Sequence, residues 1–206
     1  MTARFLPYGR HSVDQADIDA VIRVLKSDYL TTGPEIEKFE TALCAATGAG
    51  EAVACSNGTT ALHLALAALG VGEGDLCIVP TITFMATANA VRYCGGRVIF
   101  ADVDPETGLM TRATLADAMA RADGPVKAVL PVHLGGQVGD GRYADAATFS
   151  FHPVKTIAAG EGGAVTTNDA ALAEKMRRLR SHGVTRNRAE FIGDPSEPWR
   201  QEFHDL

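Results

Sequence analysis

Lys155 closes the run Phe149-Ser150-Phe151-His152-Pro153-Val154-Lys155, which leads into Gly160-Glu161-Gly162-Gly163. The lysine follows an apolar strand end, and the glycines allow another group to come close. A desolvated lysine amine has a lowered pKa and can condense with a carbonyl to a Schiff base. The plain alternative is a solvated side chain. His152 fits a site residue or a hydrogen-bonded structural histidine equally well. A second candidate is the small-residue turn Ser56-Asn57-Gly58-Thr59-Thr60. It joins a strand pattern to a helix pattern, so the first helical N–H groups lack internal partners and the helix dipole favours an anion there. Gly58 lets the backbone approach a ligand, and the Thr59 and Thr60 hydroxyls can donate. The turn reads either as a phosphate cradle or as an ordinary N-capped strand-to-helix turn. It is neither a P-loop nor a dinucleotide fingerprint.

Phe84 follows an apolar strand and the turn Pro80-Thr81. It could stack on a planar ring or serve as core. His133 and Gln137 flank a glycine pair and either line a cleft or satisfy loop backbone. His182-Gly183 reads as a helix C-cap. Lys175, Arg177, Arg178 and Arg180 read as a solvated helix face that complements the C-terminal dipole.

The elements that must position these residues alternate between strand and helix. Ser12 and Gln15 suggest a capping box for a helix carrying Ile18, Val21, Ile22 and Leu25. Pro34 opens a second helix that Gly48 ends. Strands are predicted at 52–55, 77–79, 97–101, 128–130, 149–151 and 163–167. Helices are predicted at 61–69, 86–93 and 115–121, with a last one capped by Asn168 or Asp169 and running to Ser181. This rhythm predicts an α/β fold with a mainly parallel sheet flanked by helices. It breaks once. Thirteen residues, His133 to Asp145, contain four glycines and show no helical face. Parallel neighbours need a crossover of about a dozen residues or more, usually helical. The expectation is an unusual connection or a unit missing within 138–145. The last 25 residues are polar and irregular.

Composition narrows the function classes. The chain has 206 residues, 46% hydrophobic and 21% charged, with a formal net charge of −6. That is the range of a globular protein with a real core, and it argues against a dedicated nucleic-acid surface. The apolar stretch from Ala61 to Val71 is too short to span a bilayer, which needs about 20 residues. No metal-ligand spacing occurs. Cys44, Cys55, Cys77 and Cys94 form no CxxC pair and read as buried free thiols of a reducing, cytoplasmic compartment.

Six stretches together resemble one family: LTTGPEIEKFE (30–40), SNGTTALHLAL (56–66), PTITFMATANAV (80–91), PVHLGGQ (131–137), FSFHPVKTIAAGEGGAVTTND (149–169) and LRSHG (179–183). In that order they are similar to the DegT/StrS family of sugar-nucleotide aminotransferases dependent on pyridoxal 5'-phosphate (PLP). They look closest to the subgroup that aminates C4 of a UDP-linked 4-keto-6-deoxy sugar on the way to pseudaminic or related nonulosonic acids.

The resemblance implies the large domain of a fold-type I PLP transferase, preceded by an N-terminal segment and working as a homodimer. Lys155 would condense with the cofactor aldehyde and move the proton. Gly58, Thr59 and Ser150 would hold the cofactor phosphate, and Phe84 would stack on its ring. Tyr8, Tyr29 and Thr31 would approach the sugar nucleotide, and glutamate would be the amino donor. The resemblance also implies an aspartate against the ring nitrogen, on a strand between the PVHLGGQ and FSFHPVK stretches. These stretches are nearly adjacent here, and the resemblance assigns that role to neither Asp140 nor Asp145. The small C-terminal domain of the family is expected to be absent from residues 1–206. Two other readings stand beside the enzyme: a catalytically silent binding or regulatory protein on the same fold, and a sugar dehydratase. Lys155 speaks against the latter, because that subgroup carries histidine in its place.

Overall fold

The computed structural model describes residues 9–137, 144–185, 191 and 202–203. Tyr8, and most of the stretch in which the sequence places a missing unit, lie outside the described residues.

Two helices come first, α1 (Gln15–Leu25) and α2 (Pro34–Thr47). The cap of α1 differs from the sequence expectation. Asp14, not Ser12, is the N-cap: its carboxylate accepts the Asp17 N–H at 3.0 Å, and the Asp17 carboxylate accepts the Asp14 N–H at 3.0 Å. A carboxylate at the positive end of the helix outcompetes a hydroxyl two residues upstream. Gln15 instead donates to Asp19. Gly48 ends α2 at φ 75°, and its N–H bonds to the Cys44 carbonyl.

Strand and helix then alternate as the periodicity predicts: β1 (Glu51–Cys55), α3 (Gly58–Ala68), β2 (Leu76–Pro80), α4 (Ala86–Tyr93), β3 (Arg97–Ala101), α5 (Arg112–Ala120) and β4 (Val126–Val129). After the break come β5 (Ala146–Ser150), β6 (Gly163–Thr167) and α6 (Ala170–Arg180). Asp169 caps α6, accepting the N–H groups of Ala171 and Leu172. A short pairing of β7 (Val184–Thr185) with β8 (Glu202–Phe203) follows. Two-residue strands carry no periodicity, so the sequence reading of an irregular tail missed it.

The strands form a parallel sheet in the order β3-β2-β4 and a second sheet in the order β1-β6-β5. In the second sheet β6 runs against both neighbours. β1 and β5 therefore run the same way. α3 carries the chain from the end of β1 to the start of β2. The first of these sheets is parallel as the periodicity predicts, while β6 makes both pairings of the second antiparallel.

α3 is the organiser. One face packs Ala61, Leu64, Ala65 and Ala68 against Val53 and Val165, with Leu172, Ala173 and Met176 of α6. Its other side brings Leu62 and Leu66 to Cys77, Val91, Ala128 and Leu130. The helix thus touches both sheets, and its N-terminus is held at the end of β1.

The basic set on α6 is not a solvated face. Arg177 pairs with Glu51 at 2.6 Å, and Arg180 pairs with Glu40 at 2.6 Å. Arg178 faces Glu174 at 3.5 Å. The arginines lie over the free edge of β1, where partly dehydrated carboxylates draw guanidinium groups. Lys175 alone of the set is exposed as expected. Gly183, at φ 74°, returns its N–H to the Arg178 carbonyl, as the C-cap reading requires.

Candidate active site

The turn from β1 into α3 is built around Asn57. Its side-chain oxygen accepts the Thr60 N–H at 2.9 Å and the Thr60 hydroxyl at 3.1 Å, and its carbonyl accepts the Ala61 N–H at 3.0 Å. The Ser56 and Thr60 hydroxyls lie 3.0 Å apart. That leaves the N–H groups of Gly58 and Thr59, which bond to nothing among the described residues. Both face the positive end of the helix dipole.

Two glycines let this turn sit where it does. A Cβ on Gly58 would fall 2.7 Å from Ser150 Cβ and 3.1 Å from Ser150 Oγ. A Cβ on Gly163 would fall 2.2 Å from the Asn57 carbonyl oxygen. Gly163 lies in register with Cys55 on one side and Ser150 on the other. The start of β6 is thus wedged under the turn, and the end of β5 delivers the Ser150 hydroxyl to the first residue of α3. The close approach anticipated at the Gly160–Gly163 run is this one: the approaching group is the Asn57 carbonyl.

Lys155 belongs to the loop that joins β5 to β6. The Phe151 N–H bonds to the Gly162 carbonyl at 2.9 Å, and the Ala159 N–H bonds to the Phe151 carbonyl at 2.8 Å, closing the loop at its base. Buried Phe151 anchors it, edge-on to Phe39 of α2 at 5.4 Å and stacked with Phe149 at 6.4 Å. Within the loop the Lys155 N–H bonds to the His152 carbonyl at 2.8 Å, and His152 Nδ1 accepts the Val154 N–H at 3.3 Å. Of its two readings, His152 takes the structural one and shapes the turn. The Lys155 side chain is exposed, and its amine has no partner among the described residues. A Cβ on Gly9 would lie 3.5 Å from Val154 Cα, so the N-terminal segment passes beside the lysine loop. No spacing rule signals that contact in the sequence.

The structure gathers Gly58, Thr59, Ser150 and the Lys155 loop at one end of the β1-β6-β5 sheet. Among the described residues, no hydrogen bond or ring contact joins Phe84, Tyr29 or Thr31 to them. Phe84 stands beyond the end of β2, 73% exposed, between similarly uncovered Ile82 and Met85. Tyr29, 60% exposed, and Thr31 lie on the turn between α1 and α2, held by bonds between Ser27 and Tyr29. Gln137 donates to the Thr107 carbonyl at 3.2 Å, the loop-satisfying reading. Among the described residues there is no group of three or more His, Cys, Asp or Glu side chains placed to hold a metal, and no helix long and apolar enough to cross a membrane.

The profile of the DegT/DnrJ/EryC1/StrS aminotransferase family matches residues 11–140 and 139–194. The chain is 39% identical over 209 positions to the GDP-perosamine synthase of Caulobacter vibrioides, covering 85% of this chain and 56% of that protein. Its fold superposes on PseC of Helicobacter pylori, an aminotransferase involved in the biosynthesis of pseudoaminic acid. The TM-score is 0.85 at 27% identity, covering 98% of this chain and 60% of that one. It also superposes on NtdA of Bacillus subtilis with bound cofactor PMP, with a TM-score of 0.75 at 27% identity, covering 89% and 50%. The chain thus spans about half to three fifths of the length of these relatives.

PLP is the cofactor of this family, and the site fits its phosphate. Two unbonded N–H groups at a helix N-terminus lie beside the Ser150 hydroxyl, in a cradle that a Cβ on Gly58 would fill. The fold is that of the fold-type I PLP-transferase large domain. With a profile that matches most of its length in two consecutive stretches, the chain belongs to the DegT/DnrJ/EryC1/StrS aminotransferase family.

Proposed function

We propose that this protein transaminates a nucleotide-linked 4-keto-6-deoxy sugar, with glutamate as amino donor, for nonulosonic acid or surface-glycan biosynthesis. The observation that carries the reading is the Gly58–Ser150 contact with the Lys155 loop beside it. Support for a nucleotide sugar comes from the name of the Caulobacter relative, and for the nonulosonic acid branch from PseC.

Bound PLP supplies an aldehyde that captures amines and a ring that accepts the electron pair of a broken Cα–H bond. This chain's residues hold and orient it. The Gly58 and Thr59 N–H groups, with the Thr59 and Ser150 hydroxyls, fix the phosphate against the helix dipole. Phe84 would stack on the ring. Lys155 Nζ is the amine that holds the cofactor at rest. Once released and neutral, Nζ takes the proton from the donor Cα and later returns a proton to the sugar carbon. Tyr8, Tyr29 and Thr31 bind the sugar nucleotide. The unburied apolar stripe of α1 (Ile18, Val21, Ile22, Leu25) supports a homodimer. A reducing, cytoplasmic setting suits the four free thiols.

A second reading, a silent binding protein on this fold, is favoured by the exposure of Lys155. One experiment separates them. The full chain is incubated with PLP, glutamate and either a UDP- or a GDP-linked 4-keto-6-deoxy sugar, and products are resolved by mass spectrometry. Formation of an amino-sugar nucleotide with 2-oxoglutarate supports transamination. Absence of both with either nucleotide supports the silent reading.

A further inference from the structure

Asn57 gives α3 an N-cap without a charge. Its side-chain oxygen accepts the Thr60 N–H at 2.9 Å and the Thr60 hydroxyl at 3.1 Å. The main chain behind it is fixed. The Asn57 carbonyl accepts the Ala61 N–H at 3.0 Å and the Cys55 thiol at 3.4 Å. A Cβ on Gly163 would fall 2.2 Å from the same oxygen, so β6 leaves the turn no room to retreat. Whatever side chain stands at position 57 is therefore held against the first turn of α3.

Two other helices of this chain are capped by carboxylates: Asp14 caps α1 and Asp169 caps α6. A charged cap gains from the helix dipole, a gain that a neutral amide of the same shape forgoes. α6 shows what else a carboxylate does in this position. One oxygen of Asp169 accepts the N–H groups of the second and third helical residues, Ala171 at 2.8 Å and Leu172 at 3.1 Å. The corresponding groups of α3 belong to Thr59 and Thr60. Asn57 takes only the Thr60 N–H. The Thr59 N–H, with that of Gly58, stays available for an anion.

We infer that Asn57 is the positioning residue that makes this turn selective for a phosphate ester. Its amide closes the helix start while leaving two adjacent N–H groups open. Being uncharged, it also keeps a negative charge from standing one residue away from them, where it would repel the phosphate at short range. An aspartate at this position would cap α3 equally well and refuse the anion, by binding the Thr59 N–H as in α6 and by like-charge repulsion. The discrimination is between PLP and pyridoxal, the same molecule without its phosphate. The inference rests on the reading of this turn as the phosphate cradle.

The test measures PLP and pyridoxal binding to the full chain by equilibrium dialysis, which counts bound ligand however it is held, beside urea unfolding without ligand. The unmodified chain is expected to prefer PLP about tenfold or more. Asn57→Asp is expected to lower the PLP affinity about tenfold or more, to leave the pyridoxal affinity within about twofold, and to keep or raise the urea midpoint. The gap between this variant and the unmodified chain narrows in added salt. Asn57→Ser, which retains a neutral cap, keeps the preference within about threefold. A merely structural cap gives a different pattern. Asn57→Asp then binds PLP as the unmodified chain does, or loses both ligands together with a lower midpoint; either result overturns the inference and leaves the cradle in place. If Asn57→Asp does not fold, Asn57→Ser carries the test alone: a folded protein that keeps the preference supports the neutral cap, and one that loses it overturns the inference. Equal binding of PLP and pyridoxal by the unmodified chain would remove the cradle reading itself.

Discussion

Gly58 and Ser150 touch so closely that a single methyl group on the glycine would lie 2.7 Å from Ser150 Cβ. The relationship joins the first residue of a helix to the last residue of a strand far along the chain. Gly58→Ala must push Ser150 aside, at a cost of about 1–3 kcal/mol of overpacking. It is expected to weaken PLP binding about tenfold or more, read by absorbance titration. Ser150→Ala, which leaves the packing intact, should lose one phosphate hydrogen bond and a smaller part of the affinity, with an unchanged urea midpoint.

Glu40 and Arg180 clasp the free edge of β1. Glu40 accepts the Ala54 N–H at 2.8 Å, while Arg180 donates to the Ala54 carbonyl at 3.0 Å. The pair occupies backbone groups that would otherwise template a foreign strand. Arg180→Met removes a charged partner and leaves Glu40, 13% exposed, without its counter-ion. Because Arg180 itself retains solvent contact, the expected loss is about 1–3 kcal/mol in urea unfolding rather than the full value of a buried pair. Lys175→Ala, one turn away and exposed, should stay within about 0.5 kcal/mol.

Asp169 is the N-cap of α6, and its carboxylate accepts two backbone N–H groups. Asp169→Ala is expected to cost about 1 kcal/mol, and Asp169→Asn much less, since the amide oxygen can still accept. Thermal unfolding of the three proteins checks the order.

The strand-helix alternation was legible because periodicity and punctuation agree at each element: Pro34 starts a helix, Gly48 ends one, and Gly163 begins a buried strand. The turn at 56–60 was legible for the same local reason, as a run of small residues ahead of a helix. What sequence could not supply was long-range. That Ser150 answers Gly58 depends on the β5-β6-β1 register. That Arg177 and Arg180 bind Glu51 and Glu40 depends on how α6 lies across β1, which the helix's own charge pattern does not encode. The Asp14 cap was missed because hydroxyl and carboxylate candidates stand two residues apart, and only the backbone geometry chooses between them.

Burial raises the thiol pKa values of Cys55, Cys77 and Cys94. At neutral pH these groups are therefore protonated and slow to alkylate. A raised folded-state value also means that folding favours the neutral thiol. That stabilisation is present below the ordinary thiol range and is lost as pH rises through the folded value. Iodoacetamide labelling followed by peptide mapping should show all three sites slow at neutral pH and accelerating in alkaline buffer. Equally fast labelling in native and urea-unfolded protein at neutral pH would contradict this.

The central claim is that the Lys155 amine condenses with the cofactor. It is tested by treating the PLP-loaded full chain with borohydride, digesting it, and locating the pyridoxyl group by mass spectrometry. The account predicts a single major label on Lys155 that Lys155→Ala abolishes. A label spread over surface lysines such as Lys26 and Lys175, or one that survives Lys155→Ala at full yield, would contradict it.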